Sequence, residues 1–203
     1  MRSDDGKVKL IEEFPELAQP DALLQKEVYA HFGLVFMSFG LVEHSLINII
    51  TFKDAASVFP FPDERDQTGW GNEVDKAYAS AVALTFGNLV KKVSAIPEFI
   101  DLRKSLDEAK RLRDYFAHHF MREESRFSTS DDGCWLLLSK IAVVRRQIKH
   151  LDEELKVPFG AMCQRLKIPL PSEPELEEEL EKYHGETVEA LISGVARVGW
   201  DGL

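Results

Sequence analysis

Arginine, histidine and aspartate side chains are concentrated in one segment, RLRDYFAHHFMR, from Arg111 to Arg122. Apolar residues upstream of it recur at steps of three and four, which predicts that the segment ends an amphipathic helix. At about 100° per residue, Asp114 and His118 lie on one face of that helix, where they can form a hydrogen bond. Arg113 lies about 140° round the helix from His118, so these two side chains would flank a seam.

Arginine and histidine together suit phosphodiester cleavage in RNA. A neutral imidazole, here His118, can accept the proton of a 2′-hydroxyl because histidine titrates near neutral pH. A guanidinium, here Arg113, can stabilise the extra charge on the phosphoryl group in the transition state. Asp114 would orient the imidazole, and His119 and Arg122 would be auxiliary. Since this chemistry requires no metal ion, we expect neither a metal nor another cofactor.

The seam between Arg113 and His118 predicts a shared site. If two copies of the helix over 98–122 met across a two-fold axis, each chain would contribute an arginine and a histidine to one cleft. We therefore expect a homodimer formed through this helix. The pattern is short, however, and Asp114 with His118 is equally consistent with an ordinary surface pair that stabilises a helix by a few tenths of a kcal/mol.

The string LRDYFAHHF (112–120) resembles the signature of the HEPN superfamily, in which a polar residue and then a histidine follow an arginine near a helix end. Phe32–Ile50 is similar to the long first helix of HEPN-like bundles, and Thr85–Val93 to their second. The resemblance covers residues 25–167. Asp114 departs from it, because asparagine most often follows the arginine.

The resemblance implies an all-α bundle that dimerises across the motif helices. It also implies metal-independent RNA cleavage that leaves a 2′,3′-cyclic phosphate, in a toxin or antiviral effector whose further partner would be an antitoxin or a regulatory protein. Some relatives keep the scaffold without activity. The alternative function is therefore a noncatalytic helical interaction protein or transcriptional regulator on the same scaffold.

Other charged residues are weaker candidates. Glu43 interrupts an apolar helix and would need a partner there, for which Arg113 or His118 would serve, unless it reaches solvent at the helix edge. Residues 140–150 contain a cluster of bases without an acid: Lys140, Arg145, Arg146, Lys149 and His150. Such a cluster is usually a solvated helix face, but Arg145, Arg146 and Lys149 together with Arg111 would supply an RNA-binding surface.

The composition is that of a globular chain: of 203 residues, 44% are apolar and 30% charged, with a net charge of −10. This acidity argues against tight nonspecific binding of duplex DNA, which depends on many cations. Residues 151–203 hold 12 of the 35 acids and 5 of the 25 bases, so the remainder is nearly neutral. Cys134, Cys163 and the lone Glu181–His184 pair are too few for a zinc or di-metal site.

The sparse cysteines and the start MRSDDGKVKL, which lacks the apolar core of a secretory signal, favour a reducing compartment. Leu34–Phe52 is nearly long enough to span a bilayer, but Glu43 and His44 interrupt it where charge is costly. We therefore expect a soluble cytoplasmic protein without membrane association.

Helical patterns dominate the chain. Apolar residues run almost all round the helix from Val28 to Phe52, which predicts the central helix of a bundle. Further helices are predicted over Glu73–Ala95, from Pro97 through the motif, and over Leu136–Lys167 with a bend or break at Pro158. Residues 54–72 are rich in proline and glycine and indicate a loop.

The predicted fold class is therefore all-α, a helical bundle of four to five main helices with a short C-terminal helical tail. Residues 1–20 would form an N-terminal extension, 21–168 the bundle, and 169–203 a linker plus an acidic helical tail.

Overall fold

A computed structural model describes residues 23–59 and 67–168. The chain divides into two units, Met1–Lys167 and Ile168–Leu203, and every helix described here lies in the first. The described residues contain no strand and form five helices of eight residues or more: α1 (Leu23–Val58), α2 (Gln67–Val82), α3 (Phe86–Val93), α4 (Arg103–Tyr115) and α5 (Asp131–Arg165). The predicted all-α helical bundle is confirmed. The predicted N-terminal extension and acidic tail, with Glu181 and His184, lie outside the described residues.

Helix α1 contributes the largest share of the core. Its buried stripe includes Val28, Val35 and Val42, which are spaced by whole heptads, and the helix contacts α2, α3 and α5. It is central, as predicted, but its first half is not covered all round, because Met37 and Leu41 are 68% and 58% exposed. By length and composition α1 could also cross a membrane, a property that the core helix of a bundle shares.

Helices α1 and α5 run parallel, side by side. The Ser45 hydroxyl donates a hydrogen bond of 2.8 Å to Oδ1 of Asp152, and the rings of Phe52 and Phe159 lie 6.0 Å apart. Both contacts join residues that are 107 positions apart, so the two helices keep one register over this length. The longest helices thus form a rigid pair on which the shorter ones pack.

The region 54–95 differs from its prediction. Helix α1 continues to Val58 and α2 begins at Gln67, so Gly69 and Gly71 lie in a helix and not in a loop. The single helix predicted over Glu73–Ala95 is interrupted before α3, where the Thr85 side chain accepts a hydrogen bond from the backbone N–H of Asn88. A capping threonine starts a new helix without disturbing the apolar periodicity, so the pattern alone did not reveal the break.

The segments on either side of the motif follow the prediction more closely. A 3₁₀ helix begins at Pro97 and leads into α4, since proline suits a first helical turn. Helix α5 begins earlier than predicted, at Asp131, because the Ser130 side chain accepts a hydrogen bond of 3.2 Å from the Gly133 N–H. Helical structure then continues through Pro158, so of the predicted bend or break at this residue the break does not occur.

Gly133 lies in the first turn of α5, where a Cβ would collide with the backbone carbonyl of Phe127. We expect Gly133→Ala to lower the free energy of unfolding by about 1–3 kcal/mol, the usual cost of overpacking. Gly160, in the same helix, has nothing within 4 Å of an added Cβ. Gly160→Ala should therefore stabilise the protein by about 0.5–1 kcal/mol. Urea unfolding of both variants checks the pair, and equal effects would contradict this packing.

Candidate functional site

The motif contains a π-helical turn. Phe116–Phe120 form this turn between α4 and a single α-helical turn, Met121–Glu124. Hydrogen bonds in a π turn span five residues instead of four, so the turn holds one residue more than an α-helical turn. Each residue then rotates by less than 100°, and the angle between Arg113 and His118 falls below the value for a regular helix.

Two buried phenylalanines anchor the π turn under α1. Phe116 and Phe120 stack with their ring centroids 4.5 Å apart, and the Phe32 ring of α1 lies 5.9 and 5.5 Å from them. The residues between them, Ala117, His118 and His119, are exposed. Packing on one side of the turn therefore presents both histidines to solvent on the other.

Asp114 does not form the predicted hydrogen bond with His118. Oδ2 of Asp114 lies 2.8 Å from Nζ of Lys110, and Oδ1 lies 3.6 Å from Nη1 of Arg113. The hydrogen bond from Lys110, reinforced by the charges of Lys110, Arg113 and His118, lowers the pKa of Asp114. His118 is exposed and forms no hydrogen bond or ion pair within residues 23–59 and 67–168.

Competition from Lys110 explains why Asp114 does not pair with His118. Lys110 lies one helical turn before Asp114 and offers a charge-assisted hydrogen bond, which is stronger than one from a neutral imidazole. The π turn also begins between Asp114 and His118, so that the regular four-residue spacing does not hold across them.

His119, unlike His118, has hydrogen-bond partners. Nδ1 of His119 lies 3.1 Å from Oε1 of Glu123 and 2.7 Å from Nη2 of Arg122. The imidazole is parallel to the Tyr115 ring, with 4° between the planes and 6.3 Å between the centroids. Arg122, predicted to be auxiliary, therefore lies beside His119, and Glu123 joins the cluster although the sequence analysis did not select it.

Tyr115 connects this cluster to α5. Its hydroxyl donates a hydrogen bond of 3.2 Å to Oε1 of Glu124, and Nζ of Lys140 lies 2.7 Å from the other carboxylate oxygen. The hydrogen bond from Lys140 lowers the pKa of Glu124, while burial and then the charge of Glu124 raise the pKa of Tyr115. Lys140 and Tyr115 are far apart in sequence, so only the tertiary structure reveals this connection.

Comparison with known proteins does not identify a family for this chain. No protein-family model, curated protein or solved structure matches the chain. The resemblance to the HEPN superfamily therefore rests on the motif residues and on the helices that hold them.

The described residues offer no exposed thiol and no cluster of metal ligands. Cys134 and Cys163 are buried, and burial raises the pKa of both thiols, which disfavours the reactive thiolate. In the part of the chain that the structure describes, no three His, Cys, Asp or Glu side chains gather as metal ligands would.

The predicted auxiliary residue Glu43 is not part of the cluster. It is half-buried on α1 and forms no hydrogen bond or ion pair with Arg113 or His118. Arg111 is exposed, but its guanidinium is paired with Glu108, one turn earlier on α4. Neither side chain joins the two histidines.

The basic residues predicted to cluster at positions 140–150 lie on α5 and fall into two groups. Lys140 is paired with Glu124, and Nε2 of His150 lies 3.5 Å from a carboxylate oxygen of Glu154. Three others have no acidic partner among the described residues: Arg145, Arg146 and Lys149. Nε of Arg145 is buried without a hydrogen-bond partner, whereas Arg146 and Lys149 are exposed. These three side chains form the phosphate-binding candidate on α5.

The ion pair between Glu124 and Lys140 yields a pH-dependent prediction. The pKa of Glu124 is lower in the folded protein than in the unfolded chain. The ion pair therefore stabilises the fold fully at a pH above the unfolded pKa, and this stabilisation is lost as the pH falls through the folded pKa. We expect Glu124→Gln to lower the free energy of unfolding by about 1 kcal/mol at pH 7. The difference from wild type should shrink once the pH falls below about 4.3, the unperturbed pKa of glutamate, and should vanish below the lowered pKa of the folded state. Denaturant unfolding at a series of pH values measures both.

A matched control is Glu153→Gln, which removes the exposed ion pair with Lys156 at 2.6 Å on the same helix. An exposed pair contributes little, so this change should leave the free energy of unfolding nearly unchanged. Equal losses in the two variants would show that Glu124 does not join the motif to α5.

Proposed function

We propose that this chain is a cytoplasmic, metal-independent endoribonuclease of the HEPN type, and that it leaves 2′,3′-cyclic phosphate ends. The observation that carries the proposal is the π turn, which is anchored by Phe116 and Phe120 and exposes His118 and His119 between them. Arg113 lies three residues before this turn and is half-buried. The exposed histidines and this guanidinium support the proposal because they bring a proton acceptor and a cation into one short segment.

His118 acts as the general base in this proposal. It is exposed and without a hydrogen-bonded carboxylate, so its imidazole is available to a 2′-hydroxyl. Arg113 stabilises the charge on the phosphoryl group. Asp114 is a positioning residue for Arg113, whose Nη1 lies 3.6 Å away, and Lys110 offsets its negative charge.

We further propose a homodimer through the helix over 98–122, in which Arg113 and His118 of both chains share one cleft. Arg145, Arg146 and Lys149 would bind phosphates of the RNA away from the scissile bond, with Arg111 as a further cation. Toxin or antiviral activity would require an antitoxin or regulatory partner to hold it in check.

The decisive assay incubates purified protein with single-stranded RNA in EDTA and identifies the new 3′ ends. We expect cyclic-phosphate ends with the wild-type protein and a loss of about 10²–10⁴-fold in His118→Ala and Arg113→Ala. Mixing these two variants tests the shared cleft, because a mixed dimer keeps one intact arginine and one intact histidine. Partial recovery of cleavage on mixing is expected.

Two results would contradict the proposal at different points. Intact RNA in the wild-type reaction would reject the nuclease. Cleavage that is lost in both variants but does not recover on mixing would keep the nuclease and reject the shared cleft.

The cation cluster predicts a salt effect. Each phosphate contact to single-stranded RNA steepens the dependence of log K on log salt concentration by about 0.7. Arg146→Gln with Lys149→Gln should therefore flatten the slope by about 1.4. Lys156→Gln is the matched control on α5, since Lys156 is already paired with Glu153. Fluorescence anisotropy with labelled RNA measures the slopes, and equal slopes in all three proteins would exclude this surface.

A noncatalytic interaction protein is the second candidate. Exposed apolar side chains on α1 favour it, namely Tyr29, Phe36, Met37 and Leu41. Exposed apolar surface, where it is contiguous, often marks a protein-binding site. Under this alternative, RNA stays intact in the assay above.

A further inference from the structure

Cleavage of RNA through a 2′,3′-cyclic phosphate transfers two protons, so it benefits from a base and an acid. The base removes the 2′-hydroxyl proton, and the acid protonates the leaving 5′-oxygen, on the other side of the phosphorus atom. His118 and Arg113 provide a base and a cation. Within one chain, His118 is already used as the base and Arg113 does not release its proton, because a guanidinium stays protonated in proteins, so the leaving oxygen still needs a proton donor.

The surroundings of His119 fit both protonation states of an imidazole. Nδ1 lies within hydrogen-bond distance of a carboxylate acceptor, Glu123 at 3.1 Å, and of a guanidinium donor, Arg122 at 2.7 Å. In the imidazolium, Nδ1–H donates to Glu123. In the neutral tautomer that remains after Nε2 gives up its proton, Nδ1–H still donates to Glu123, whereas Arg122 could donate only to a ring without a proton on Nδ1. Glu123 can therefore hold the ring before and after Nε2 gives up its proton.

The ring is also held with its other nitrogen available. It lies parallel to the Tyr115 ring, and Tyr115 is itself fixed by its hydrogen bond to Glu124. Both hydrogen-bonding contacts of the His119 side chain are made by Nδ1. Nε2 forms no hydrogen bond within the described residues. Nε2 is therefore the atom that a substrate oxygen would meet.

We propose that His119 is the general acid of this site, with Glu123 as its positioning residue, acting opposite His118 on one phosphate. This inference rests on the proposed nuclease function. Neutral His118 takes the 2′-hydroxyl proton while the 2′-oxygen bonds to phosphorus. The bond from phosphorus to the 5′-oxygen breaks, and that oxygen takes the proton from the His119 imidazolium. The products are a 2′,3′-cyclic phosphate and a 5′-hydroxyl, and exchange with water restores both histidines.

The test compares RNA with uridine 3′-(4-nitrophenyl phosphate), whose nitrophenolate leaves without being protonated. His119→Ala should slow RNA cleavage by about 10²–10⁴-fold and change cleavage of the nitrophenyl ester by less than about threefold. His118→Ala should slow both reactions, because both need the base. Glu123→Gln should give the His119 pattern at about tenfold, the loss of one charge-assisted hydrogen bond.

His31→Ala is the matched control, since His31 also lies one helical turn from a glutamate, Glu27 at 3.8 Å. It should leave both reactions unchanged, and circular dichroism checks that every variant is folded. Equal losses on both substrates in His119→Ala, or no loss on RNA, would overturn the acid while leaving the nuclease in place. If the wild-type protein cleaves neither substrate, the proposed function fails and the inference fails with it.

Discussion

The packing of Phe116 and Phe120 beneath α1 is the constraint on which the site depends. Both rings stack on one another and face Phe32, so the backbone between them has to pass over the outside of this contact. The backbone does so as a wide π turn whose exposed residues carry the imidazoles. Burial of two aromatic rings, worth several kcal/mol, thus holds polar side chains that would not order themselves. Single π turns inside α-helices are frequent at functional sites.

Much of the bundle follows from apolar periodicity. Seven apolar residues recur at steps of three and four along the motif helix, and five of them are buried: Phe99, Leu106, Ala109, Phe116 and Phe120. The other two, Leu102 and Leu112, are half-buried. Periodicity reports burial and says little about where one helix stops and the next begins. The break before α3 depends on one threonine cap, and α2 includes two glycines because neighbouring helices, and not propensity, stabilise it.

The side-chain contacts of the motif were only partly predictable. The four-residue rule applied equally to Lys110–Asp114, Asp114–His118 and His119–Glu123. The first and third pairs form, and the second does not. Choosing among them requires the relative strength of competing partners and the position of the π turn, neither of which is encoded in spacing. The hydrogen bonds that link Tyr115 through Glu124 to Lys140 depend on tertiary structure, so spacing does not predict them.

The parallel arrangement of α1 and α5 has a consequence for the order in which this molecule acquires structure. Contacts such as Ser45 with Asp152 link the first long helix to the last across most of the bundle, so they belong to the slowly formed, high-contact-order class. During synthesis the arginine and histidines leave the ribosome before the lysine that braces Tyr115. The motif is therefore supported only after α5 has packed against it. A chain truncated before α5 would contain the arginine and the histidines without the lysine that supports Tyr115 through Glu124.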